Sequence, residues 1–320
     1  MRHPGGMIHM MLQTISWKGR VMGTDAQILV VTDDLRAGEE DLLGAQEDLR
    51  ETERVLSRFR EDSELSQLNR EGGLSAGERL LAAVRAAARA HALSGGLLDP
   101  RVIGSLESLG YRESLPQGEV EVSGRPKPLP PVDDMASWIE EETGRITLPL
   151  GTRLDLAGVG KALGIGWAAL RLAGRHAGIL VDVGGDMVAL GYDEQGKPWR
   201  IAVDHGEVVG EFEGTPLAVA TSTITRRAWK AGGKTAHHLI DPRTGEPSEG
   251  EFAYATVTAP TILEADLAAK LLILEGRGAV RRFGEGFRAV VTTDREGNTE
   301  YLGGQDDGSE EREALHKGAV

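Results

Sequence analysis

Two adjacent histidines, His237 and His238, run into Leu239-Ile240-Asp241-Pro242-Arg243-Thr244-Gly245. Proline early and glycine last mark Asp241 to Gly245 as a turn. Histidine is the side chain whose charge changes nearest neutral pH, so it suits proton transfer there. In a strand, neighbouring rings point to opposite faces, which disfavours a shared metal and favours one histidine as a base or substrate contact. Gly158-Val159-Gly160-Lys161-Ala162-Leu163-Gly164 is a second candidate. It is not a P-loop, because Asp155 stands where that motif needs glycine and Ala162 where it needs a hydroxyl. Nor is it a dinucleotide fingerprint, since its third glycine comes one residue late. What survives is a helix N-terminus carrying Lys161, a place where free N–H groups and the helix dipole attract anions. Asp182 and Asp186 flank Gly184-Gly185, a pattern of a hairpin, a bulge or a close ligand approach. Asp266 and Lys270 are four apart and share a helix face. On spacing alone they read as an exposed ion pair worth about 0.3–0.5 kcal/mol.

These residues need elements to hold them. Asp25–Thr32 is β-branched and apolar enough for a strand, and Leu42, Leu49, Leu56 and Phe59 space an amphipathic helix over about Leu35–Phe59. An alanine-rich helix spans Ala76–Leu93 and stops at Gly95-Gly96. Five prolines between Pro116 and Pro131 forbid helix and central strand, so about 112–135 reads as a surface loop or connector. A short strand (Arg145–Leu150), a helix (Lys161–Leu172) and a glycine-interrupted apolar run (Gly178–Gly191) follow. Tyr254–Ala259 and Phe287–Thr293 read as strands around a helix from Ile262 to Glu275, opened by the capping box Thr261-x-x-Glu264. Helices and strands mix without regular alternation, which predicts an α+β class.

Composition narrows the chemistry. The 320 residues carry a net charge of −14 and no cysteine, which removes disulfides, thiolate nucleophiles, Fe–S clusters and Cys-ligated zinc. An acidic chain lacks the field that binds polyphosphate backbones, so nucleic acid is not an expected partner. No apolar run is long enough to span a membrane and no secretory leader is visible, so the expected location is cytoplasmic, without membrane insertion. Glycine, at 43 residues, is about twice its usual share. Gly96, Gly158, Gly160, Gly184, Gly185 and Gly245 fall in segments that carry a family resemblance, which implies backbone close to a nucleotide or metal there.

Taken in order, several segments resemble the FAD:protein FMN transferase (ApbE-like) family. They are Met22-Gly23-Thr24, Ser57-Arg58-Phe59 through Asn69, Gly96 to Pro100, Asp155 to Lys161, Val183 to Asp186, Pro198 to Arg200, Ala220 to Ser222, His238 to Gly245, and Glu264 to Asp266. The resemblance implies a T-fold-related α+β domain over residues 21–303, two lobes with a flavin cleft between them. A poorly ordered lead (1–20) and a flexible acidic tail (304–320) would flank it. It implies Mg²⁺-dependent cleavage of FAD, transfer of FMN to a threonine of an acceptor flavoprotein, and release of AMP; some members only hydrolyse FAD to FMN and AMP. Met22, Phe59, Leu97, Leu98, Asp99, Asp155, Lys161 and Ile240 would contact FAD, and His238 would be the base. The Gly158 carbonyl and Asp266 would hold the metal. Lys270 stands where the family pattern has a metal-ligating threonine, so the resemblance leaves open that Lys270 supplies part of the metal's charge, that the metal is weakened or absent, or that the chain binds flavin without turnover.

Overall fold

The computed structural model describes residues 11–113, 119–279 and 289–302. Its frame is an eight-stranded sheet. In chain order the strands and helices are β1 (Gln13–Val21), β2 (Thr24–Thr32), α1 (Leu35–Leu56), α2 (Glu64–Glu71), β3 (Gly73–Ser75), α3 (Glu78–Leu93), α4 (Ile103–Ser108) and β4 (Glu119–Val120). Then come β5 (Ile139–Glu140), β6 (Arg145–Thr147), α5 (Ala157–Leu172), β7 (Gly178–Val183), β8 (Asp186–Gly191), β9 (Trp199–Asp204), β10 (Val208–Gly214) and β11 (Leu217–Thr223). The chain continues with β12 (Ala228–Ala231), β13 (Lys234–His237), β14 (Phe252–Ala259), α6 (Ile262–Glu275), β15 (Ala289–Asp294) and β16 (Thr299–Tyr301).

The main sheet runs β1-β2-β7-β8-β11-β14-β15-β16, with antiparallel pairing throughout. Alternation along its strands gives it two apolar faces. Ile28, Val30, Ala218 and Ala220 meet Ala45, Leu49, Ala162 and Ile165 of α1 and α5, with Ala265 of α6. Val31, Leu217 and Val219 face the other way, onto Trp199, Ile201 and Phe212 of the β9–β10 hairpin. A second lobe packs α2, α3 and the small β3-β6-β5 sheet around Leu65, Leu80 and Ile146. This is the expected α+β class, with the helices on one side of an antiparallel sheet.

The element boundaries follow local chemistry. Both two-residue hairpin turns that face the second lobe, Met22-Gly23 and Gly184-Gly185, have positive φ at both positions (52° and 73°; 66° and 90°). That is the type I′ pattern, whose twist matches the flanking strands. Helix α6 opens with the N-cap half of its predicted capping box: the Thr261 hydroxyl accepts from the Glu264 N–H at 3.2 Å, and the Glu264 carboxylate accepts from that hydroxyl at 2.9 Å. Thr261→Ala is expected to cost about 1 kcal/mol, read as a lower urea midpoint at unchanged slope.

Several expectations need correction. From Gln13 the chain is strand β1, paired along its length with β2, and not the poorly ordered lead expected over 1–20; residues 1–10 lie outside the described ones. The tail from 304 and residues 114–118 of the proline-rich stretch lie outside them too. Helix α1 ends at Leu56, short of Phe59, and α5 starts four residues before Lys161. The nucleotide role expected of Gly160 gives way to packing: a Cβ there would come 3.3 Å from Leu56, and one at Gly164 would come 3.1 Å from Thr52. These two glycines let α5 lie close on α1. A Cβ at Gly245 would strike the Lys127 backbone at 2.3 Å, so that glycine seats the proline-rich loop.

Between the main sheet and the β9–β10 hairpin, His205 bridges two threonine hydroxyls, Thr293 at 2.6 Å from Nδ1 and Thr256 at 2.8 Å from Nε2, and stacks on Tyr254. Burial pushes its pKa down to about 4. An unfolded histidine titrates near 6.5, so below that pH the unfolded chain takes up a proton that folded His205 resists. Stability is therefore expected to fall from about pH 6.5 to 4, by up to about 3 kcal/mol. Urea midpoints measured across that range in the wild type and in His205→Gln isolate the contribution.

Candidate active site

A cavity of about 820 Å³ opens where the two lobes meet, within the ~300–1,000 Å³ usual for small-molecule and cofactor sites. Its floor is the N-terminal turn of α5, with Gly158 and Lys161 on its wall. A Cβ on Gly158 would meet no atom of the described residues within 4 Å, so glycine here leaves cleft space open. The helix start is fixed by Asp155, whose carboxylate accepts from the Ala157 N–H at 2.8 Å and from Arg58 at 2.7 Å. Arg58 also donates to the Tyr111 carbonyl at 2.7 Å. Asp99 is tied in the same manner, by Arg101, which reaches on to the Pro130 carbonyl at 2.8 Å and so holds the proline-rich loop.

Opposite the helix, the Gly184-Gly185 turn carries Asp186 beneath it. Asp186 is wholly buried, accepts from the Thr221 N–H at 2.9 Å and pairs with Lys161 at 2.5 Å. Asp266 on α6 is buried and paired with Lys270, which also lines the cavity. Burial holds the Asp266 carboxyl above the usual carboxylate range, with the Lys270 ammonium opposing it. Its second oxygen, Oδ2, has no hydrogen-bond partner among the described residues. The pair expected to be an exposed helix ion pair is therefore a buried one at the site.

The two histidines part at the end of β13, of which His237 is the last residue. His237 turns inward, and its Nε2 donates to the Ser248 carbonyl at 3.0 Å. His238 lies on the cavity wall. Burial depresses its pKa well below the ordinary histidine value, and the charges of Arg227, His237, Lys270 and Lys161 push the same way. A neutral imidazole thus shares a cavity with Lys161, Lys270 and Arg227.

The ApbE family's sequence profile matches residues 22–291 of the chain. The chain belongs to the ApbE family. It is 26% identical over 287 residues to the FAD:protein FMN transferase of Haemophilus influenzae, covering 82% of this chain and 81% of that one. The FAD:protein FMN transferase of Salmonella typhimurium is 29% identical over 276 residues, 78% of this chain and 75% of that one. The crystal structure of the ApbE protein of Thermotoga maritima superposes with a TM-score of 0.77 at 21% identity, covering 90% of this chain and 97% of that one. The fold is therefore that of the ApbE proteins.

Within this ApbE-family fold, His238, Leu97, Leu98, Asp99, Asp155, Lys161, Ile240, Gly158 and Asp266 all come to the cavity wall. Met22 and Phe59 do not line it. Met22 sits in the β1–β2 turn, its side chain toward Gly164 and the sheet–helix core. Phe59 meets Tyr111 edge-on, with ring centroids 5.5 Å apart, and it is Tyr111 that reaches the wall. Sequence reasoning passed over Lys18, Tyr111, Arg226 and Arg227, which also line the cavity. No periodicity marks them; the only available signal was an adjacent arginine pair in an acidic chain.

Proposed function

We propose that this protein is an FAD:protein FMN transferase, moving FMN from FAD to a threonine of an acceptor flavoprotein and releasing AMP. The observation that carries the reading is a neutral His238 facing the same cavity as Lys161, Lys270 and Arg227. The acceptor's hydroxyl oxygen bonds to the phosphorus on the riboflavin side of the pyrophosphate. The bond from that phosphorus to the bridging oxygen breaks, and its electron pair leaves with AMP. The hydroxyl proton passes to His238, which is unprotonated and so able to take it. Phosphoryl transfer needs positioned cations and donors more than covalent help from the protein, and Lys161 with the start of α5 supplies both. Leu97, Leu98 and Ile240 give the rings an apolar wall. Asp99 and Asp155 are engaged by arginines and shape that wall, with Met22 and Phe59 supporting it from behind.

The resemblance also implies Mg²⁺ on the Gly158 carbonyl and Asp266. The unpartnered Asp266 Oδ2 would suit a ligand, but the other oxygen holds the Lys270 ammonium. Gly158 lies in the first turn of α5, where carbonyls point toward the N–H four residues on. Magnesium demands a near-octahedral shell of oxygens, and an ammonium offers none. These residues do not fit that ion, and no step above passes through it.

The reading is tested by mixing the protein with FAD and a threonine-bearing acceptor and following AMP by chromatography. AMP is expected only when protein and FAD are both present; a calorimetric titration in which FAD fails to bind would contradict the reading.

A further inference from the structure

Lys270 and Asp266 stand one turn apart on α6, and both side chains are largely withdrawn from water, at 12% and 3% exposure. A surface helix pair has no need of that. Fully buried Asp186 is neutralised by Lys161 in the same wall, and the two carboxylates are near enough for Asp186 to raise the proton affinity of Asp266. Two acids and two ammoniums make a quartet of no net charge. An ammonium has three donors. One Lys270 donor is committed to Asp266, and among the described residues no other hydrogen bond of that ammonium is seen; Lys270 itself lines the cavity. A divalent ion on Asp266 would have to sit against that ammonium, whereas a pyrophosphate is attracted by it.

We propose that Lys270 is a built-in cation: held on Asp266, its ammonium contacts the FAD pyrophosphate in the place the resemblance gives to a divalent metal, so that this protein handles FAD without one. The inference rests on the flavin-transfer reading. In the bond changes given above Lys270 donates hydrogen bonds to phosphate oxygens as charge shifts onto the departing AMP, and transfers no proton. Lys161, in the same cavity, supplies the second positive charge. Together the two ammoniums carry the formal charge of a divalent ion, each anchored by one buried carboxylate and needing no octahedral shell of oxygens.

The wild-type protein alone tests this. FAD affinity by calorimetry, and AMP release with FAD and a threonine-bearing acceptor, are measured in EDTA and then in excess Mg²⁺. Both are expected to agree within about twofold between the two conditions. Lys270→Thr, with its fold checked by circular dichroism, is expected to bind FAD about tenfold more weakly in EDTA and to regain that affinity with Mg²⁺. A tenfold loss of wild-type affinity or AMP release in EDTA would overturn the inference and leave flavin transfer standing. So would a Lys270→Thr protein indistinguishable from wild type in EDTA, as expected of a purely structural pair. FAD binding with no AMP release in either condition would overturn the flavin-transfer reading, and this inference with it. A wild-type protein that binds no FAD in either condition would overturn the flavin reading, and this inference with it.

Discussion

His238→Gln is expected to lower FMN transfer by on the order of 10²–10⁴-fold while FAD affinity stays within a few fold. Glutamine keeps a polar group on the wall but cannot take a proton. Loss of transfer without loss of binding would place His238 on the reaction and not on the ligand. The pH profile supplies an independent check. Burial and the surrounding cations depress the imidazole's pKa well below 6.5. A base works in its unprotonated form, so the rate should be flat through neutral pH and down past the ordinary histidine value, falling only in more acid solution. A rate that halves near pH 6.5 would mean that the titrating base is an ordinary solvated histidine and not this one.

Arg58→Met is expected to destabilise the fold by about 3–5 kcal/mol, a large part of a domain's total stability. Both partners of its ion pair with Asp155 are buried, at 5% and 7% exposure. Removing the guanidinium leaves a carboxylate uncompensated in low dielectric, which costs more than the pair itself contributes. It also leaves the Tyr111 carbonyl without its 2.7 Å donor and removes a cation stacked over the Phe59 and Tyr111 rings. Urea unfolding gives the magnitude. Adding Asp155→Leu should recover part of the loss, because the orphaned charge goes with it. Since Asp155 also accepts from the Ala157 N–H at the start of α5, Arg58→Met should weaken FAD binding under conditions where the protein remains folded.

The parts legible in the sequence were those fixed by local chemistry. The capping box at Thr261 appears as hydrogen bonds. Gly184-Gly185 is a hairpin turn, and the adjacent histidines point apart. Each rests on the geometry of a few consecutive residues. Long-range charge pairing was not legible. Asp266 and Lys270 have the spacing of a solvated helix pair, and only the packing of α6 against the sheet and the second lobe makes them a buried one. Arg58 and Asp155 are 97 residues apart, a separation no local pattern encodes. The β9–β10 hairpin escaped because its strands carry several charges and bury one face only. Glycine abundance pointed at the right segment for only part of the right reason. Gly158 keeps the cleft open, while Gly160 and Gly164 set the distance between two helices.

The most direct measurement is the mass of a threonine-bearing acceptor protein after incubation with this protein and FAD, with peptide mapping of the modified position. The account predicts one FMN attached through phosphate to a threonine hydroxyl, with one AMP released per acceptor modified. An acceptor left at its original mass while FAD is split to free FMN and AMP would contradict transfer and leave hydrolysis as the chemistry of the site.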